Sequence, residues 1–258
     1  MNFKQLLIEK ENQVARVTLN NPGAGNALNL ELRQELLELF KQVGDDESIK
    51  VVALFGAGKN FCAGGDIRTM EGVTAVAGRE RLKTGQRLIR AVTGLEKPVI
   101  AAIHGAAAGA GASVALACDI LIAAENAKII LPYVNIGLIP DWGLFYFLPL
   151  RVGLTRAKEL MFLGRPVEAA EAERIGLINR VVPPEKLEQE TLALAGRLAN
   201  GPSQAYAMIK SALNRFPGDL ETLLEMESTM QAVAFCSQDF DEGRRAFLEK
   251  RKPKFRGK

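Results

Sequence analysis

The chain has 258 residues, of which 48% are hydrophobic and 24% charged, with a formal net charge of +3. That is the composition of a water-soluble globular protein of one large domain, or of one domain with a small appendage; it excludes a disordered, fibrous or disulfide-scaffold chain. A single His104 argues against a Ser-His-Asp triad or a His-rich metal site. Three cysteines (Cys62, Cys118 and Cys236) without metal-ligand spacing suit a reducing compartment, so a cytoplasmic location and no bound metal are expected.

Residues 1–10 are charged and lack an apolar core, so no secretory leader is expected. Residues 3–8 and 14–20 read as a hairpin, with Ala15, Val17 and Leu19 alternating against Arg16, Thr18 and Asn20. The turn-rich loop NPGAGN follows at 21–26, and Asn29 caps a helix whose Leu32, Leu36, Leu39 and Val43 form one face. Residues 49–55 form an apolar strand leading into NFCAGGD at 60–66, and 68–95 read as one or two amphipathic helices.

The stretch PVIAAIHGAAAGAGASVALACD at 98–119 is a short apolar strand, a turn with Gly105, Gly109 and Gly111, and an Ala-rich buried helix. Glycines there let backbone N–H groups face an open space, and the helix aims its positive end at the same space. As a membrane span the stretch is poor, since three glycines and no bulky residues make a weak lipid-facing surface. As a dinucleotide site it has glycines resembling those of short-chain dehydrogenases, with Tyr206 and Lys210 in matching spacing. A hundred residues precede it, however, where such a unit should open the domain.

Further strands are expected at 120–124, 128–131 and 177–182, and helices at 155–163, capped by Thr155, and 168–175. The loop PYVNIGLIPDWG lies at 132–143, and from 185 to 250 the pattern is helical. The organisation is α/β, with strands and helices alternating to about residue 182 and helices thereafter. The tail concentrates Lys250, Arg251, Lys252, Lys254, Arg256 and Lys258, either a solvated segment or an attraction for phosphates or nucleic acid.

Two glycine turns, at 63–66 and 108–111, each follow an apolar strand and can each present an N–H; two converging N–H groups make an oxyanion hole. Asp141 sits beside Trp142, where partial desolvation raises a carboxyl toward a useful base. The other reading of Asp141 is a solvated turn residue.

The segments NPGAGNALN, NFCAGGDIRTM, PVIAAIHGAAAGAGASVALACDILIAAENA, IGLIPDWG, IGLINRVVP and AFLEKRKPKF occur in the order of the enoyl-CoA hydratase/isomerase (crotonase) superfamily, which the chain resembles over its whole length. The resemblance implies a crotonase-like spiral of ββα units over 1–195 and a helical trimerisation region over 196–258, as a homotrimer or dimer of trimers. It implies an acyl-CoA thioester substrate, with CoA entering as part of the substrate and no separate cofactor. The thioester oxygen would be held by the amides of Gly65 and Ala110. Ala27, Ala63, Asp66 and Ile67 match CoA-contacting positions, and Phe247 and Lys250 match C-terminal positions that touch CoA, in some members from a neighbouring subunit. Tyr133 and Trp142 would border the acyl group.

Hydratases of the family carry two glutamates where this chain has Ser113 and Tyr133. Asp141 falls where family isomerases carry one acidic base, and where a dehalogenating branch has a nucleophile. The resemblance therefore implies an acyl-CoA double-bond isomerase with Asp141 as proton shuttle. The alternatives are an enoyl-CoA or cyclic dienoyl-CoA hydratase using Asp141 and water, and a non-catalytic CoA- or RNA-binding member. No membrane association is expected, and nucleic acid is not the favoured partner.

Overall fold

The computed structural model describes residues 3–258. The hairpin forms as β1 (Leu6–Glu11) and β2 (Val14–Leu19), antiparallel, with Ile8 opposite Val17. Helix α1 (Leu30–Asp45) starts where Asn29 Oδ1 accepts the Leu32 N–H at 2.8 Å. Strand β3 (Val51–Gly56) and β4 (Val99–Ile103) add in parallel beside β2. The segment between them is a short 3₁₀ turn (Ile67–Met70) and one long helix, α2 (Ala75–Thr93).

The glycine turn after β4 is not a bare turn. It contains a short strand, β5 (Ala106–Ala108), before α3 (Ala110–Ala117), which is buried on every side. Then come β6 (Ile120–Ala124) and β7 (Lys128–Ile130). A helical segment does run from just before Thr155 to Leu163, but no Thr155 side-chain cap forms, and an earlier segment precedes it. Helix α4 (Leu144–Leu163) begins directly after the Pro/Gly loop and breaks at Gly153, so the break, not a Thr cap, divides it. Strand β8 (Pro166–Glu168), α5 (Ala169–Arg174) and β9 (Arg180–Val182) follow. The chain ends in α6 (Leu187–Ala199), α7 (Ser203–Leu213), α8 (Leu220–Phe235) and α9 (Gln238–Leu248).

Six strands form the main sheet in the order β1-β2-β3-β4-β6-β9, parallel except for the first pair, and β5-β7-β8 form a second sheet. Parallel strands covered on both faces should be apolar on both, and β3 is. Val52 and Leu54 join the larger core, shared with α1, α2 and α3, while Val51, Ala53 and Phe55 join a second core. The second core is closed by Leu187, Ala195 and Ala199 of α6, so this helix is a layer of the sheet's packing and spans residue 195. The basic tail folds back on α9. The buried Asp239 carboxylate accepts the N–H groups of Arg256 and Gly257 at 2.7 and 2.8 Å, and Lys50 Nζ donates to the Arg256 carbonyl. No helix among the described residues is long and apolar enough to cross a membrane.

One buried side chain ties the first loop to the sheet. Asn26 donates through Nδ2 to the carbonyls of Ala57 (2.9 Å), Asn60 (2.8 Å) and Phe61 (3.2 Å), while its Oδ1 accepts the Asn21 N–H. Asn26→Ala strands these groups in the interior and should lower unfolding free energy by about 3 kcal/mol, read as a reduced urea midpoint at unchanged slope.

Candidate active site

Backbone pairing brings the two glycine turns together. The Cys62 N–H donates to the Ala106 carbonyl (3.0 Å) and the Ala108 N–H to the Cys62 carbonyl (2.9 Å). Gly64 stands so close that a Cβ on it would lie 2.6 Å from the Ala108 carbonyl oxygen, and its φ of +99° excludes side chains independently. Gly109 (φ 50°, ψ −122°) ends the second turn and leaves the Ala110 N–H at the head of α3. Among the described residues, neither the Gly65 nor the Ala110 amide donates to a backbone carbonyl or a side chain. Both residues line one cavity of about 110 Å³.

The same cavity is lined by Ala63, Ile67, Tyr133, Asp141 and Trp142, so five further expected residues meet there. Tyr133 Oη donates to Asp141 Oδ1 at 2.8 Å. Ser113, fully buried, places Oγ 3.2 Å from the Asp141 carbonyl, 3.3 Å from the Gly109 carbonyl and 3.4 Å from Tyr133 Oη. Burial pushes the Asp141 carboxyl above the ordinary carboxylate range, against the Tyr133 hydrogen bond and the charges of Arg33 and Arg81. Burial and the neighbouring carboxylate push the Tyr133 phenol up as well, so it stays protonated and acts as a donor. Among the described residues, Asp141 is the only carboxylate in the cavity lining.

Trp142 holds a left-handed backbone (φ 49°), rare for a bulky residue and a local strain that the surrounding packing imposes. Its indole is 4% exposed and packs directly over Gly85 of α2, where a Cβ would stand 1.8 Å from Cε2.

Four expected contacts are not in the lining. Ala27 lies at its edge: the next amide, Leu28 N–H, donates to the Gly64 carbonyl at 2.7 Å. The Asp66 carboxylate caps the 3₁₀ turn and pairs with Arg68 Nε at 2.9 Å. Phe247, 84% exposed, and Lys250 sit at the end of α9, away from this cavity's walls. His104 is a turn residue, its Nε2 3.0 Å from the Gly58 carbonyl. Burial pushes the Cys62 thiol up to about 12, an inert group. Lys210 pairs with Asp119 at 2.8 Å and donates to the Val92 and Lys97 carbonyls, so the Tyr206–Lys210 spacing is structural.

Sequence reasoning missed Arg33 and Arg81, which also line the cavity. The signal for Arg33 was available: it occupies the helical stripe of Leu36, Phe40 and Val43, where a charge has no solvent. Nothing in the sequence pattern marks Arg81, which α2 delivers so that Nη2 donates to the Asp66 carbonyl at 3.3 Å.

Residues 9–258 match the family model described as enoyl-CoA hydratase/isomerase. The chain belongs to the enoyl-CoA hydratase/isomerase family. It is 38% identical over 257 residues to a crotonyl-CoA hydratase of Syntrophomonas wolfei, covering 99% of each chain. It is 40% identical over 258 residues to the 1,2-epoxyphenylacetyl-CoA isomerase of Escherichia coli, covering 98% of each. The crystal structure of an enoyl-CoA hydratase from Bacillus anthracis superposes with a TM-score of 0.94 at 34% identity, over 99% of this chain and 100% of that one. The crotonase-like α/β fold read from the sequence is therefore the fold of the chain. Its relatives carry both hydratase and isomerase names.

Trp142 is the only tryptophan in this family member, so its fluorescence reports on the site. Gly85→Ala drives a methyl into the indole and should shift the emission to the red and lower turnover of a family substrate at least about 10-fold, by analogy with small misplacements of catalytic groups.

Proposed function

We propose that the protein is an acyl-CoA double-bond isomerase. The observation that carries this is the lone carboxylate of the cavity, Asp141, half-buried and hydrogen-bonded by Tyr133 across from two undonated amides. Syn hydration asks for one group to activate water and a second to deliver a proton to carbon. At the positions of the family's two glutamates stand Ser113 and Tyr133, and neither is a carboxylate. Migration of a double bond asks for less. Asp141 removes a proton from the carbon next to the thioester of a 3-enoyl-CoA, and the electron pair delocalises onto the thioester oxygen as a dienolate. The amides of Gly65 and Ala110 donate to that oxygen, and the protonated Asp141 returns the same proton two carbons further on, giving the 2-enoyl-CoA. Atoms and charge balance without a cofactor other than the CoA of the substrate. Tyr133 holds the carboxylate in one orientation, and Trp142 covers it.

Ala27, Ala63, Asp66 and Ile67 are proposed to border the CoA moiety, with Phe247 and Lys250 reaching it from a neighbouring subunit. Self-association would also cover Leu154, Phe162, Leu163, Leu213, Leu220 and Phe235, each more than half exposed in one chain. Three free thiols suit the reducing cytoplasm. The second reading, hydration of an enoyl-CoA through Asp141 and a water, is supported by the hydratase names among the relatives.

Incubation with a 3-enoyl-CoA should give a 2-enoyl-CoA of the same mass. A 3-hydroxyacyl-CoA of mass higher by one water as the main product would favour the hydratase reading. No change in either substrate would leave only a binding role. Asp141→Asn should reduce kcat by about 10²–10⁴-fold while acyl-CoA still binds. Because the base works ionised, kcat/KM should be full above the Asp141 pKa and fall as pH drops through it, at a pH above that of an ordinary aspartate. Light scattering should give three or six times the mass of one 28.0 kDa chain; a monomer would remove Phe247 and Lys250 from the site.

A further inference from the structure

Arg33 is buried in a way that ordinary core arginines are not. It is 5% exposed, its Nε donates to the Leu28 carbonyl at 2.6 Å, and its guanidinium lies 4.9 Å over the Trp142 ring. Among the described residues neither terminal nitrogen meets a protein acceptor, and Arg33 forms no ion pair. Its terminal nitrogens are not among the sealed, unpartnered polar atoms, so the guanidinium reaches the open space of the cavity it lines and not the core. Nη2 stands 3.8 Å from the place a Cβ on Gly65 would occupy. An oxygen that accepts the Gly65 N–H would stand about 3 Å from the Gly65 nitrogen. The guanidinium and such an oxygen would both border Gly65 in one cavity.

The charges facing this point are few. Asp141 contributes one negative charge from the loop before α4, Arg81 one positive charge from α2, and the Tyr133 phenol is neutral. As the proposed reaction runs, negative charge leaves the Asp141 carboxylate and appears on the thioester oxygen beside Gly65. The Arg33 charge lowers the Asp141 pKa from a distance but makes no ion pair with it, and its Nη2 stands near Gly65, so a positive charge stays at the site when negative charge moves to the oxygen there.

We propose that Arg33 is the positive wall of the oxyanion site, a fixed charge beside the Gly65 and Ala110 amides that stabilises the enolate oxygen as it forms. This rests on the acyl-CoA reading of the cavity. It assigns to Arg33 a share of transition-state stabilisation that two neutral amides do not supply. The Trp142 face and the Leu28 carbonyl hold the guanidinium in place, so no reorganisation accompanies the reaction.

The test separates polarisation from binding. A 4-dimethylaminocinnamoyl-CoA changes colour as negative charge gathers on its thioester oxygen, and it reports without turnover. Bound to the wild-type protein its absorption band should move to the red. With Arg33→Gln, which keeps a donor for the Leu28 carbonyl, the red shift should shrink by at least half. In parallel, kcat on the 3-enoyl-CoA should fall about 30–100-fold with KM within about 3-fold. Arg33→Lys should recover part of both effects. Arg33→Met gives the same reading if the Gln variant fails to show native circular dichroism.

A full red shift in the folded neutral variants, a loss confined to KM, or a Lys variant no better than Gln overturns the proposal. A wild-type band that shifts while no enoyl-CoA isomerises overturns the isomerase reading alone. A wild-type band that does not move overturns the amide-pair site on which the proposal stands.

Discussion

Two short runs of backbone, one around Cys62 and one around Ala107, are hydrogen-bonded to each other as a single parallel bridge. Everything at the site is hung on this contact. It places the amide of Gly65 and the amide of Ala110 on the same wall, although they follow different strands of the main sheet. The contact is possible because position 64 has no side chain: a methyl there would sit 2.6 Å from a carbonyl oxygen that the bridge fixes. Asn26 reinforces the same region from the other side by bonding three carbonyls of the 57–61 turn. The rigidity has a chemical meaning, since donors that are already in place need not reorganise when charge develops.

The second half of the site is electrostatic. The cavity brings together a carboxylate, a phenol, an indole and two guanidinium groups, and most of the wall between them is apolar. Desolvation raises the Asp141 pKa, and the Tyr133 hydrogen bond and the arginines limit that rise. The carboxyl held between these effects is more basic than a solvated aspartate. Ser113 takes part differently. It bonds the Asp141 main chain and not its carboxylate, so it ties the loop and leaves the carboxylate to Tyr133.

The acyl-CoA family relatives divide between hydratase and isomerase names at similar identity, so overall likeness does not choose the reaction. What differs locally in this chain's cavity is that Ser113 and Tyr133 stand beside one carboxylate, Asp141, on which the proposed reaction rests. Similar folds with different acids at a few positions are how one scaffold serves several reactions on an enolate.

Short-range pattern was enough for much of the fold. The alternation in β2, the Asn29 cap, the Leu32–Leu36–Leu39–Val43 face of α1 and the apolar run of β4 follow from local preference and period, and each is in the structure. The glycines of both turns were legible because backbone conformation is encoded by the residue itself. Other features were decided only by contacts distant in sequence. Trp142, two residues before α4, packs on Gly85 of α2, a contact that no window of neighbouring residues records. Arg33 and Arg81 come from two different helices and become one electrostatic feature only when α1 and α2 close over the cavity. The sequence by itself determined many of the elements, the glycine turns and the place of a lone aspartate beside the tryptophan. Tertiary structure alone decided that Gly65 and Ala110 line one cavity, that Asp141 is desolvated beside Tyr133, and which charges it meets, because burial and distance are properties of the packed chain and not of any segment of it.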